Sequence, residues 1–289
     1  MAQTLEHLSR KNDTLTSIRG IVHTMKTLSA INAAPYEQAA QSIEAYHHTV
    51  LQGLAAFVYR TGGISLLAQS TQPSRRLLVV FGSDHGLCGN YNELLANAAT
   101  EYNTAEPIAE QHILCIGSRM RNALLEQQLT PGVVLMPPAS ADGVGRLAGD
   151  IVTHIDSLGR GQPLANLAVT LVFTRRAEHG YQETVTRALL PLDNSLLQPV
   201  QRWQSRSLPD YTMAADTLLS SLVRNHVFAS VFRASAEAMV TENATRLALM
   251  QQAEESVDEQ LEVVKQELSS VRQDEITNEL MDIVIGHLA

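Results

Sequence analysis

Between residues 211 and 285 the chain contains neither proline nor glycine, a run of about 75 residues that would reach roughly 110 Å as continuous helix at 1.5 Å per residue. Within it Val257, Leu261, Val264, Leu268 and Val271 recur at alternating steps of four and three, a heptad seam flanked by polar residues. Apolar positions resume at Ile276, Leu280, Ile283 and Val284 after a five-residue step that interrupts the register. Such a seam demands a partner helix, and the N-terminal segment supplies one. Leu15, Ile18, Val22 and Met25 repeat at three, four, three, and Leu28 and Ile31 carry the stripe toward Pro35. Gly20 weakens this helix slightly. Pro35 is expected to kink it or end its first part, because proline lacks the ladder donor and clashes with the preceding turn. The pattern predicts that helices from the two chain ends pair as an antiparallel coiled coil.

Between them the period changes to short apolar runs bounded by turn residues: "RLLVVFG", "HILCIG", "GVVLM", "LAVTLVFT" and "TVTRALLPL". These alternate with helical stretches at 92–102 and 144–158, which predicts a small doubly wound α/β domain. Polar or proline-bearing joints are expected at 62–63, 69–74 and 191–209. The expected architecture is thus α/β: coiled-coil helices at 1–60 and 210–289, with a Rossmann-like α/β domain inserted at 73–195. The sequence shows no internal repeat and no low-complexity tract.

A formal charge of -9 over 289 residues argues against nucleic acid as a partner, since phosphate neutralisation needs clustered Lys and Arg. No apolar run approaches the roughly 20 residues needed to span a bilayer, and "MAQTLEHLSRKNDTL" lacks the apolar core of a signal peptide. Cys88 and Cys115 are the only cysteines, which suits a reducing compartment and gives no disulfide framework. These features together lead to a cytosolic expectation. Charge is uneven: residues 237–289 carry about twelve acids against Arg246, Lys265 and Arg272. A solvated helical face explains most of that, and Arg246 and Arg272 stand out as points where an acidic partner surface could be met.

The richest candidate for chemistry is "FGSDHGLCGN", which follows the first predicted strand, where α/β proteins often hold phosphates or nucleophiles. Its glycines do not fit G-x-x-x-x-G-K-[ST], and no glycine pair supplies G-x-G-x-x-G. His85 and Cys88 lack a second ligand pair for zinc. A Cys–His nucleophile remains open beside the commoner reading of a packed cysteine. Residue patterns alone therefore leave two readings in play: a nucleotide-binding enzyme with a helical arm, and a coiled-coil scaffold.

Three motifs reach further. "RQDEITNELMDIVIGHLA" resembles the C-terminus of the gamma subunit of F-type ATP synthases, R-Q-x-x-I-T-x-E-L-x-E-I-V-x-G-A, at Arg272, Gln273, Ile276, Thr277, Glu279, Leu280, Ile283, Val284 and Gly286. "TENATRLALMQQA" resembles that family's S-E-x-A-A-R-M-x-A-M-x-x-A at Glu242, Ala244, Arg246, Met250 and Ala253. "SDHGLCGNYN" resembles its S-D-R-G-L-C-G-x-x-N, which implies a structural loop with no chemistry at Cys88. Weaker similarity runs through "SIRGIVHTMKTLSAIN", "IGSRM" and "ALLPL", in the family's order over essentially the whole chain. Two departures imply a divergent branch, such as an alternative ATPase encoded beside a housekeeping one. "AAPYEQAAQSIEAY" replaces a basic stretch in the first helix, and His85 stands where the family has Arg. The redox-regulated plant form carries an inserted cysteine pair, which Cys88 and Cys115 do not reproduce.

The resemblance implies a non-catalytic rotor axle of the central stalk, without cofactor or metal, turning inside an alpha/beta hexamer. Its α/β domain would stand near epsilon and the membrane c-ring, peripheral to the cytoplasmic side of a bacterial plasma membrane. It implies contacts with beta-subunit loops by Arg272, Gln273, Thr277 and Glu279, with Arg246 farther along the helix, and more weakly by Lys26 and Leu28.

Overall fold

The computed structural model describes residues 2–62, 73–106, 108–159, 166–176, 182–198, 203, 206–208 and 210–288. The expected joints at 62–63, 69–74 and 191–209 fall partly outside them. Two helices dominate, α1 (Ala2–Thr61) and α6 (Ala215–Leu288), and between them lie β1 (Arg75–Phe81), α2 (Tyr91–Ala105), β2 (Glu110–Ile116), α3 (Ser118–Glu126), β3 (Val133–Leu135), α4 (Val144–Gly159), β4 (Leu167–Arg176), β5 (Gln182–Leu190) and the single turn α5 (Asn194–Leu197). The chain divides into two compact units, Met1–Ala30 with Arg246–Ala289, and Ile31–Thr245.

In the first unit the two helices pack through the expected seam, with Leu15 against Leu261 and Val264, and Val257 and Leu268 beside them. The stripe on α1 differs from the one its apolar residues suggest. Buried positions fall seven apart, at Leu8, Leu15, Val22, Ser29, Tyr36, Ile43 and Val50, whereas Ile18, Leu28 and Ile31 are exposed. The hydrophobic pattern misleads because a polar residue, Ser29, occupies one seam position while three large aliphatics face outward. Arg19 pairs with Asp258 and His23 with Glu254, so one-for-one antiparallel stepping sets residue 2 level with about residue 275. The α6 helix continues beyond that level for about thirteen residues, or roughly 20 Å. Along this extension Ile276, Leu280 and Ile283 are exposed, Ile276 at 57%.

Pro35 does not end the first helix: α1 runs through it. A mid-helix proline costs about 3 kcal/mol, by removing one rung and crowding the carbonyl four residues back. Two local features offset that cost. Ile31, which owns that carbonyl, is 63% exposed, leaving it near water. Tyr36, next in sequence, is buried against Val144 and Ala236, and its hydroxyl donates to the Pro138 carbonyl at 2.7 Å.

The second unit is built on a five-stranded sheet ordered β3-β2-β1-β4-β5, parallel except for β5, which pairs antiparallel with β4. Period-two alternation sorts its side chains onto two faces. Leu77, Val79 and Phe81 of β1 join Leu114 and Ile116 of β2, and Leu167, Val169, Leu171 and Phe173 of β4, beneath α4 and the α6 residues Val227, Val231, Ala234 and Ala238. On the other face Leu78, Val80, Ile113, Cys115 and Val172 pack under α2 and α3. All five apolar runs form strands, and the stretches at 92–102 and 144–158 lie within α2 and α4.

Gly117, between β2 and α3, has φ +98°, and a Cβ built there would lie 2.3 Å from the Ser83 carbonyl oxygen. Both the backbone region and the space exclude a side chain. Gly117→Ala is expected to lower unfolding free energy by about 3 kcal/mol in urea titrations.

Candidate functional site

The loop after β1 lies at the carboxyl end of the sheet, beside the point where strand order reverses between β1 and β4, the usual ligand crevice of open α/β sheets. Here its polar residues are turned on each other. The Asn92 carboxamide accepts from the Ser83 amide at 2.9 Å and donates to the Ser83 hydroxyl at 2.8 Å. Asp84 accepts from the Ser118 hydroxyl and, at 3.2 Å, from the Ser118 amide. Hydrogen bonds from Ser118, the hydroxyl first, hold the Asp84 carboxyl below its ordinary range. Cys88 is buried, with its sulfur 3.4 Å from the Ser83 hydroxyl. Burial pushes the Cys115 thiol up to about 12, far from the thiolate that nucleophilic chemistry requires. The loop therefore ties the start of α2 to the start of α3.

The crevice itself is filled by α6. Tyr91 donates to the Ala238 carbonyl at 3.1 Å and accepts from Thr174 at 2.8 Å. Thr241 bonds the carbonyls of Glu237 and, at 3.5 Å, Thr174. A helix thus stands where a dinucleotide would lie in an enzyme of this topology.

All the residues singled out for partner contact belong to the first unit, but they do not converge. Arg272, Gln273, Thr277 and Glu279 are exposed on the last turns of α6. Positions 272, 276 and 279 share one helical face, and 273, 277 and 280 share the adjoining one. Thr277 returns its hydroxyl to the Gln273 carbonyl at 2.8 Å, which fixes its rotamer. Lys26 stands at the level of Glu254, roughly 27 Å of helix from residue 272. It binds the Glu254 carboxylate, whose other oxygen lies 2.8 Å from His23 Nδ1. Leu28 is exposed, and Arg246 keeps 8% of its surface.

The apolar pattern alone overlooks this interhelical polar ladder. Arg19 faces Asp258 at 2.5 Å, one turn from the His23–Glu254–Lys26 cluster. Its signal was available: bases at 19, 23 and 26 and acids at 254 and 258 follow helical spacing on two segments whose seams predict pairing.

A family model described as "ATP synthase" matches residues 4–289. The ATP synthase gamma chain of Polynucleobacter necessarius is 25% identical, over the whole of both chains. That of Mycobacterium ulcerans is 24% identical, covering 99% of this chain and 97% of its own. Among solved structures, the chain is similar to one in the Euglena gracilis mitochondrial ATP synthase OSCP/F1/c-ring assembly, with TM-score 0.64, 15% identity, and 98% and 93% of the two chains covered. It is also similar to a chain of the Tetrahymena thermophila central stalk and c-ring, with TM-score 0.55, 18% identity, and 81% and 99% covered.

Hydrogen bonds from Lys26 and then His23 hold the Glu254 carboxyl below its ordinary value. A carboxylate depressed by folding contributes stability that is present above its unfolded value, about 4.3, and is lost as pH falls through the folded value. Glu254→Gln is expected to flatten the loss of helix-pair stability below about pH 4.3, followed by thermal melts across that range.

Proposed function

The chain belongs to the ATP synthase family as a gamma-type central-stalk subunit, and from that premise we propose that its coiled coil is the shaft whose rotation couples ion flow to ATP synthesis or hydrolysis. Catalysis belongs to the ring that surrounds such a shaft. The alpha/beta hexamer is the partner of the coiled coil, and epsilon and the c-ring are partners of the α/β domain inserted at 73–195. The subunit is peripheral, on the cytoplasmic side of a bacterial plasma membrane. Among the described residues no helix is long and apolar enough to cross a membrane.

One observation carries the reading: the last turns of α6 expose Ile276, Leu280 and Ile283 among Arg272, Gln273, Thr277 and Glu279. Burying one large aliphatic side chain is worth about 1.5–3 kcal/mol. A charge-assisted bond from Arg adds about 1.5–3 kcal/mol. The roughly 5.5 kcal/mol needed to switch a two-state catalytic site is therefore within reach of these roughly three turns of helix. A shaft without rotational symmetry presents that patch to one of several equivalent subunits at a time, so each orientation favours a different set of open and closed sites.

Arg272, Gln273, Thr277 and Glu279 are the contacts with beta-subunit loops. Lys26 and Arg246 act at a distance from them, because Lys26 is held by Glu254 and Arg246 is buried. Leu28 adds an apolar contact at the level of Glu254. The filled crevice weighs against a nucleotide-binding enzyme.

Arg272→Ala combined with Gln273→Ala is expected to lower coupled ATP turnover by about 10- to 100-fold while the complex still assembles. Turnover and ion coupling of the purified complex check it. Wild-type rates in the double variant would remove these residues from the mechanism.

A further inference from the structure

Within the second unit, α1 packs through two apolar clusters: Tyr36 with Val144 of α4 and Ala236 of α6, and Leu54, Phe57 and Val58 with Leu218, Leu219 and Leu222 of α6. Midway between them the seam holds two histidines. His47 Nε2 lies 3.0 Å from His226 Nδ1, with ring centroids 5.0 Å apart, and His226 is buried at 9% exposure. At that separation one imidazole donates an N–H and the other offers a bare nitrogen. The arrangement survives in either tautomer, but a proton on the accepting ring places N–H against N–H and leaves a cation in the seam.

We infer that the His47–His226 pair is an acid-released latch, holding α1 to α6 while the accepting imidazole is neutral and letting go when that ring takes a proton. This device is independent of the coupling function proposed above. The charges around it set its threshold. Arg233 on α6 and Arg187 on β5 oppose a proton on His47, and Glu44 on α1 favours one. Glu44 lies 3.4 Å from Arg233, which also binds Glu237 at 2.7 Å. Nearby on α6, Arg224 pairs with Asp156 of α4 at 3.0 Å. On α1, His48 is turned to Gln52.

Burial first, and then His47, push His226 down to about 4, and burial with the two arginines lowers His47 as well. A histidine depressed by folding leaves stability intact above the unfolded value of about 6.5. Stability then falls as pH drops toward the folded value, by a factor approaching ten per pH unit and roughly 300 in all.

Hydrogen exchange of the full-length chain between pH 7.5 and 4.5, corrected for intrinsic rates, tests this. Peptides covering 43–58 and 218–233 should lose protection by about tenfold per unit below pH 6.5, while β1, β2 and β4 hold theirs. His226→Asn keeps an acceptor in place of Nδ1 but takes no proton, and should remove the share of the response that His226 carries, leaving only that of His47; it also separates the pair from His154, which burial depresses on α4. An unchanged acid response in the variant, or uniform loss across the sheet, would overturn the latch. If the variant does not fold, the wild-type His226 ring resonance decides: titration near 4 supports the latch, and titration near 6.5 overturns it.

Discussion

The structure depends on one repeated constraint, that α1 must bury a residue at every seventh position from Leu8 to Val50. A helix of 3.6 residues per turn meets a seven-residue repeat only by keeping one narrow edge against its neighbour. That edge is narrow along most of the helix because its companion positions are small or polar: Asn12, Arg19, Lys26, Ala33, Ala40 and His47 follow the seam residues from Leu8 to Ile43 by four, and only Val50 is followed by a large aliphatic, Leu54. The seam thus combines apolar burial with ion pairs and a histidine pair, and the polar members align the helices where apolar contact alone would let them slide.

Much of this was written in the amino-acid order. The span free of proline and glycine from 211 to 285 lies mostly within α6, and the five apolar runs became five strands because alternating Val, Leu and Ile suit a sheet covered on both faces. Pro35 does not terminate α1. Its cost is local, and a buried tyrosine beside it outweighs a missing rung. The stripe of Ile18, Leu28 and Ile31 was misplaced because hydrophobicity does not distinguish a seam facing the chain's own helix from a row facing outward. The short α3 escaped notice, since Ser118–Glu126 carries three charged residues in nine.

Charge patterning points to Arg246 and Arg272, and only motif resemblance adds Gln273, Thr277, Glu279, Lys26 and Leu28. Composition gives no reason to prefer Arg272 to Arg224, and the structure separates them by environment: Arg272 is exposed beside unburied aliphatics, while Arg224 is paired with Asp156. Arg246 and Arg272 look equivalent in sequence as bases in an acidic tail, yet Arg246 is buried and Arg272 exposed, while Lys26 is held by Glu254. Their differences arise from tertiary pairing, which no single segment encodes.

Tyr91, Thr174, Ala238 and Thr241 close the reversal point of the sheet with the chain's own helix. A Rossmann-like framework serves here as a bracket for the helix. At the reversal point the fold offers stiffness in place of a binding crevice.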